Sequence, residues 1–327
     1  MQKIMGLGNA LVDIITEVDD ELILKKLDLP KGSMTLVDEE KSRKVSSETL
    51  HLKKTKASGG SAANTIHGLA KLGAPVSFIG KVGEDETGDF FYKDMQDNGV
   101  KPFLIRSKKD TGKAQALITT DAERTFATSL GAAVELSATD IEEKLFEDHQ
   151  ILYVEGYLVQ NQELLEKSLR LAKQKDMIVV LDLASYNIVE DNLPFLERMV
   201  EQYVDILFAN EEEARAFTGE TVPEKALQKI AAKTDIAIVK TGKEGSLIHH
   251  NGETFTIEIN KVKGVDTTGA GDLYAAGFLY GYIHNQPMTV CGEIGSLLAA
   301  NVIQGIGAKI PAEKWTTIQD KMKKIMH

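Results

Sequence analysis

Short apolar runs recur along the chain: "KIMGLG", "VSFIG", "ILYVEG", "MIVVLDL", "DILFAN" and "IAIVKTG", each bounded by Gly, Asp, Asn or Ser. Between most of them lie stretches with helical spacing of apolar residues, such as "NQELLEKSLRLAKQK" and "NEEEARAFTGE". This alternation predicts parallel strands joined by crossover helices. The strands are continuously apolar instead of alternating, so the sheet is expected to be covered on both faces.

Two segments break the rhythm, residues 14–38 ("IITEVDDELILKKLDLPKGSMTLVD") and 103–129 ("FLIRSKKDTGKAQALITTDAERTFATS"). In the second, "KAQALITT", the turn-prone "DAE" and "RTFATS" form a hairpin signature. Both segments are expected to be strands of a small sheet projecting from the main body as a lid. No repeat, low-complexity tract or Pro/Gly/Ser linker divides the chain, so residues 1–327 read as one domain with that lid inserted.

The 327 residues are 43% hydrophobic and 27% charged, as in an ordinary globular protein. The net charge of −11 argues against a nucleic-acid partner, whose phosphates are bound by clustered Lys and Arg. A single cysteine, Cys291, excludes an internal disulfide and a cysteine-based zinc site. No apolar run approaches membrane-spanning length, and "MQKIMGLGNALVDII" is interrupted by Asn9 and Asp13, so the expectation is a cytoplasmic protein without a membrane partner.

Chemistry enters with the punctuation between the runs. "GLGNAL" lacks the third glycine of a dinucleotide-binding turn, having Leu11 there, and no GxxxxGK[ST] occurs. Asp13, read as the end of the first strand, offers a carboxylate to a diol, or is a strand-end acid. In "SGGSAANTIHGLAKLG", Gly59 and Gly60 permit close approach of a ligand to the backbone, and Asn64 offers donor and acceptor to hydroxyls; a plain turn with Ser61 as cap is the alternative. Asn210 and Glu213 in "FANEEEARAF" share a helix face suited to waters around Mg²⁺, while acids in a first turn also complement the helix dipole. Thr241 and Gly242 in "VKTGKEGS" suit a phosphate contact or a strand-to-hairpin turn.

"DTTGAGD" joins a small-residue turn to the apolar "LYAAGFLYGYI". Gly269, Ala270 and Gly271 leave helix N-terminal amides open to an anion, and Asp272 projects beside them as a candidate general base. A helix-start acid after a tight turn is the alternative.

"GGSAAN", followed by "GLAKLGAPVSFIGKVGEDETGDFF" and later by "DTTGAGDLYAAGFLYGY", closely resembles the two signature regions of the PfkB, ribokinase-like carbohydrate kinases, over about Asn9 to Pro311. "GNALVDI", "YVDILFANEEEA" and "AANVIQGIGAKIP" are similar to the adenosine-kinase branch. The resemblance implies a ribokinase-like α/β fold: a central, mostly parallel sheet with helices on both faces and a small β lid. It further implies ATP- and Mg²⁺-dependent phosphorylation of a hydroxymethyl group on a sugar or nucleoside, with a monovalent cation such as K⁺ left open. Asp272 would be the base, and Gly269, Ala270 and Gly271 the anion hole. Asp13, Gly59, Gly60 and Asn64, with Asn9 and Leu11 beside them, would hold the acceptor. Asn210 and Glu213 would organise Mg²⁺ through water. Thr241, Gly242, Asp266 and Thr268 would meet the nucleotide, Asn301 would lie beside its adenine, and Arg124 would reach from the lid to the transferred phosphate.

The acceptor pocket departs from that branch. Ser33, Thr35 and Thr128 stand on the lid, and Phe126 and Tyr157 are the aromatics nearby, so nucleosides, pentoses and hexose derivatives all stay open. A catalytically silent sugar- or nucleotide-binding regulator is the rival reading, and monomer and lid-mediated homodimer are both compatible with the sequence.

Overall fold

Fourteen strands form among residues 1–18, 21–121 and 123–326, the residues described by the structure, which is a computed structural model. In chain order they are β1 (Ile4–Leu7), β2 (Leu11–Glu17), β3 (Met34–Leu36), β4 (Lys54–Gly59), β5 (Val76–Gly83), β6 (Val100–Ser107), β7 (Thr111–Ile118) and β8 (Arg124–Gly131). There follow β9 (Ile151–Glu155), β10 (Ile178–Asp182), β11 (Ile206–Asn210), β12 (Ile236–Lys240), β13 (Ser246–His250) and β14 (Glu253–Ile257).

A nine-stranded sheet runs β14-β13-β12-β11-β10-β9-β1-β5-β6, parallel from β12 to β6 and antiparallel at β13 and β14. Successive side chains point to opposite faces of a strand, and here both faces are buried. Tyr153, Val180 and Phe208 pack on one side with the helix Ala270–Ile283. Their neighbours Val154, Leu181 and Leu207 pack on the other with the helix Gln162–Gln174. That is why the strands read as unbroken apolar runs, each buried side chain contributing about 1.5–3 kcal/mol.

The second sheet has the order β3-β8-β7-β2-β4. Val18, Leu24, Leu27, Leu29, Val45, Leu117 and Ala127 form a small core of its own. The hairpin expected around "DAE" is β7 and β8, paired from Thr111 with Gly131 to Ile118 with Arg124. Ala122 in its turn, and Asp19 and Asp20 in the first lid segment, fall outside the described residues.

The lid segments differ in extent from the sequence expectation. Residues 103–107 belong to β6, which pairs in parallel with β5 in the large sheet, so the second sheet takes up this part of the chain only at Thr111. The polar run Ser107–Asp110 between β6 and β7 reads as an ordinary turn and hides the change of sheet. Residues 14–38 are not strand throughout, since the helix Leu22–Lys26 separates β2 from β3. Residues 54–59, which carry Lys54 and Lys56, form edge strand β4 against β2. Lysine-rich edge strands discourage pairing with other chains, and only the ladder to β2 makes this one a strand.

Asp13 is likewise not at the end of the first strand. β1 stops at Leu7, and Gly8 to Ala10 carry the chain across to the second sheet, where Asp13 is the third residue of β2. At Gly8 a Cβ would lie 2.5 Å from Glu155 Oε2, so the crossing passes directly over a buried carboxylate.

Candidate active site

Four of the parallel strands finish on a charged or polar residue at their carboxyl ends: Glu155 on β9, Asp182 on β10, Asn210 on β11 and Lys240 on β12. Open α/β sheets place ligands at this edge. The helices Ser61–Lys71 and Ala270–Ile283 start beside it, and their first turns meet through side chains.

Asp272 stands in the first turn of Ala270–Ile283. Ser61 Oγ donates to its Oδ1 at 2.7 Å and Asn64 Nδ2 to its Oδ2 at 2.9 Å. Thr65 Oγ1 donates to its main-chain oxygen at 3.1 Å. Burial raises the carboxyl pKa to about 6, against the pull of Asn64 and Ser61, with Asp182 pushing up and Lys240 down. The group is therefore ionised at neutral pH yet basic enough to take a proton.

Gly269 caps this helix in the left-handed region, at φ 75°, and a Cβ there would lie 2.6 Å from Ala308 Cβ. The Ala270 N–H turns back to Thr267 O at 3.1 Å, so of the three residues expected to form the anion hole this amide is engaged by the protein. Beside Gly271 stands an ammonium instead: a Cβ at that glycine would be 3.1 Å from Lys240 Nζ. Lys240 pairs with Asp182 at 2.8 Å; although burial disfavours its charge, Asp182 and Glu213 hold its pKa above the ordinary lysine range.

Gly60 caps Ser61–Lys71 at φ 101°, where a Cβ would fall 2.1 Å from Asn9 O. A Cβ at its neighbour Gly59 would meet the Asp13 carboxylate at 2.3 Å. Leu11 pairs with Gly59 across β2 and β4. Burial lifts Asp13 to a pKa of about 6, with Lys309 opposing and Asp272 adding to the rise. Asn9 is directed to Glu155, its N–H and Nδ2 donating to Oε1 at 2.8 and 2.7 Å, while Ala62 N–H donates to Oε2 at 2.8 Å.

Asn210 and Glu213 bond to each other as a capping box, Glu213 accepting from Asn210 N and Nδ2 at 2.7 Å each and Asn210 Oδ1 accepting from Glu213 N at 2.8 Å. Burial raises Glu213 to about 7, with Lys240 lowering and Asp182 raising it. Thr241 and Gly242 form the turn between β12 and β13, where Thr241 N–H donates to Gly245 O at 2.8 Å.

Asp266 accepts from Thr268 N–H and Oγ1 at 2.9 and 2.7 Å and from Gly307 N–H at 2.7 Å. Arg124 pairs with the same carboxylate and donates to Val265 O at 2.7 Å, so the lid arginine is engaged at the foot of the motif. Asn301 bonds back to its own helix at Leu297 O, 2.8 Å. Phe126 is half-buried on β8 beside Met34 and Ala116. Tyr157 follows β9 with its hydroxyl 3.4 Å from Ala184 O; burial first, then Glu155 and Asp272, push it to about 12. Of the polar lid residues, Ser33 Oγ donates to Pro30 O at 2.6 Å and Thr128 is buried.

Sequence reasoning did not single out Glu155, Asp182, Lys240 or Lys309. The first three share a signal: each is a charged residue closing an otherwise apolar strand run. A separate cavity of about 620 Å³, lined by Asp205, Asp235, His250 and Tyr282 among others, opens at the opposite ends of these strands.

The pfkB family carbohydrate kinase model matches residues 33–315. The chain belongs to the PfkB family of carbohydrate kinases. It is similar to the adenosine kinase of Saccharomyces cerevisiae, 30% identical over 94% of this chain and 96% of that one. The crystal structure of adenosine kinase from Sinorhizobium meliloti superposes with a TM-score of 0.85 at 31% identity, covering 98% of this chain and 99% of the other. A 5-dehydro-2-deoxygluconokinase of Clostridium botulinum is 30% identical over 75% of this chain and 78% of its own length. The fold is the ribokinase-like one, and the PfkB protein is a phosphotransferase, a sugar or nucleoside kinase. Membership implies ATP as donor and Mg²⁺ with it. Among the described residues no helix is long and apolar enough to cross a membrane.

Proposed function

We propose that this PfkB protein transfers the γ-phosphate of ATP to a hydroxymethyl group of a nucleoside of the adenosine type, with Asp272 as general base. The observation that carries the reading is the Asp272 carboxylate, held by Ser61 and Asn64 at a helix N-terminus and lifted to a pKa of about 6 by burial. Asp272 takes the acceptor hydroxyl proton as that oxygen bonds to phosphorus, and the bond from the γ-phosphorus to the bridging oxygen breaks to release ADP. The N–H groups of Gly269 and Gly271, with the Lys240 ammonium, neutralise charge on the transferring group, while the Ala270 N–H stays with Thr267 O. Asp13, with Gly59, Gly60 and Asn64 and flanked by Asn9 and Leu11, receives the acceptor hydroxyls, while Phe126 and Tyr157 border its base. Thr241, Gly242, Thr268 and Asn301 meet the nucleotide, and Asp266 supports them by fixing Thr268.

Asp182 and Glu213 share one ammonium, Lys240, and the surplus negative charge fits a hydrated divalent cation arriving with ATP. Asn210 and Glu213 would hold its waters through lone pairs their mutual bonds leave free. Mg²⁺, when bound, supplies charge neutralisation on the phosphates. A nucleoside acceptor is favoured over a hexonate because similarity to the yeast adenosine kinase spans both chains almost completely, whereas that to the gluconokinase spans about three quarters.

The test is ADP release across adenosine, inosine, ribose, fructose phosphates and 5-dehydro-2-deoxygluconate, with Asp272→Asn in parallel. Adenosine is expected to support the fastest turnover, and Asp272→Asn to slow it by about 10²- to 10⁴-fold while the variant stays folded. Turnover with a sugar alone would replace the acceptor class. Binding without turnover would favour a silent regulator.

A further inference from the structure

Resting on the kinase reading above, we propose that Lys309 is a positioning residue for the general base, acting through Asn64. Lys309 Nζ donates to Asn64 Oδ1 at 3.0 Å, and Asn64 Nδ2 donates to Asp272 Oδ2 at 2.9 Å. An amide can turn about its last bond and exchange its oxygen and nitrogen. Turned the wrong way, Asn64 would face the base carboxylate with a lone pair and withdraw its hydrogen bond. An ammonium is a donor only. It donates only to the oxygen end of the amide, and so fixes the NH₂ end on Asp272.

The ammonium itself stands in a defined place. Lys309 follows Gly307, whose N–H is tied to Asp266 Oδ2 at 2.7 Å, and Ala308, which is buried against Gly269. The loop that delivers it is therefore pinned to the same motif that carries Asp272. On its other side, Gly307 abuts Ile15: a Cβ there would lie 3.2 Å from Ile15 Cδ1, and Ile15 shares a face of β2 with Asp13. Lys309 thus stands among Asp13, Asp94 and Asp272, with Lys71 as the opposing cation. Burial lowers its pKa to about 8 despite those three carboxylates, so it is a cation at neutral pH. The groups facing Asp272 from the other elements are Asp182 on β10, Lys240 on β12 and Asp13 on β2, with Lys309 itself, and Tyr153 and Glu155 on β9 feel it in turn. Asn64 and its neighbour Ser61 alone hydrogen-bond its carboxylate among the described residues.

A lysine that merely tolerates burial and one that orients the base make different predictions. Lys309→Met is expected to lower kcat about tenfold, the size expected when one hydrogen bond to a charged group is lost. With the cation gone and the amide free to turn, the acid limb of kcat should move upward by about one pH unit or less. Lys309→Arg should restore most of both. Because the effect passes through Asn64, adding Lys309→Met to Asn64→Ala should cost little beyond Asn64→Ala alone. A ¹³C NMR titration of the Asp272 carboxyl in the full chain, without acceptor or ATP, should show the same upward shift in Lys309→Met.

Separate, multiplying losses in the double variant, or an unmoved Asp272 titration, would overturn the role of Lys309. If Lys309→Met does not fold, the Lys309→Arg titration decides, since retained charge must leave Asp272 where it is in the parent. Absence of any phosphoryl transfer by the parent protein would instead remove the kinase reading, a distinct result.

Discussion

Arg124, on the second sheet, forms an ion pair with Asp266, at the start of the turn that leads to Asp272. The same carboxylate receives Thr268 and Gly307, so one buried acid joins the lid, the small-residue turn and the loop of Lys309. Burial pushes the Asp266 carboxyl up, but the hydrogen bonds from Gly307 and Thr268, with Arg124, outweigh it and hold the group below the ordinary carboxylate range.

Arg124→Ala is therefore expected to loosen the lid instead of unfolding the body. The pair is only partly exposed, with side chains 20% and 4% accessible, so its loss should cost about 2 kcal/mol, between exposed and fully buried pairs. Hydrogen exchange should quicken in β7 and β8 while the large sheet keeps its protection. Unchanged exchange in that hairpin would remove the latch.

Two adjacent glycines should respond differently to alanine. At Gly60 the backbone is at φ 101° and the added carbon would strike Asn9 O at 2.1 Å, so Gly60→Ala must shift main chain and should destabilise by more than about 2 kcal/mol. At Gly59 the obstacle is the Asp13 carboxylate, which can swing aside. Gly59→Ala should fold normally and raise the acceptor KM. Comparing urea midpoints with KM values distinguishes the two, and equal loss of stability in both would refute the contrast.

Asp13 gives a pH prediction with a definite sign. Its carboxyl rises from an ordinary 3.8 to about 6, mainly through burial, with Lys309 opposing and Asp272 adding to the rise. The folded chain therefore binds the proton more tightly than the unfolded one, and stability from this group falls as pH climbs between those values. Asp13→Asn should be more stable than the parent by up to about 3 kcal/mol at pH 8, with the difference fading toward pH 4. The acceptor KM should rise at the same time. A variant destabilised equally at both pH values would contradict the assignment.

Glu155 accepts three N–H groups from Asn9 and Ala62, a pattern only a carboxylate satisfies. Glu155→Gln turns one oxygen into a donor and leaves a buried N–H facing another, at a cost of about 1–3 kcal/mol. Because Ala62 follows Ser61, the first contact of Asp272, turnover should fall too. Full activity with reduced stability would confine Glu155 to the fold.

The order of strands and helices was legible because burial on two faces leaves unbroken apolar runs, and because small residues mark helix starts where side chains would obstruct. "GGSAAN" and "DTTGAGD" announced their turns for that reason, and the same residues carry the left-handed caps Gly60 and Gly269. The lid was less legible. β4 is polar and becomes a strand only by pairing with β2, and β6 looks like its lid neighbours although it pairs with β5.

Local pattern is written in neighbours, and the amino-acid sequence determined what neighbours decide: strand runs, helix starts and the two motifs, along with the net negative charge. Tertiary structure alone decided which side chains meet. Lys309 reaches Asn64 across 245 positions and Ser61 reaches Asp272 across 211, distances over which no periodicity carries information. The physical reason is that hydrophobic burial is nondirectional and leaves its trace along the chain, whereas a hydrogen bond is made only where folding brings a donor to an acceptor.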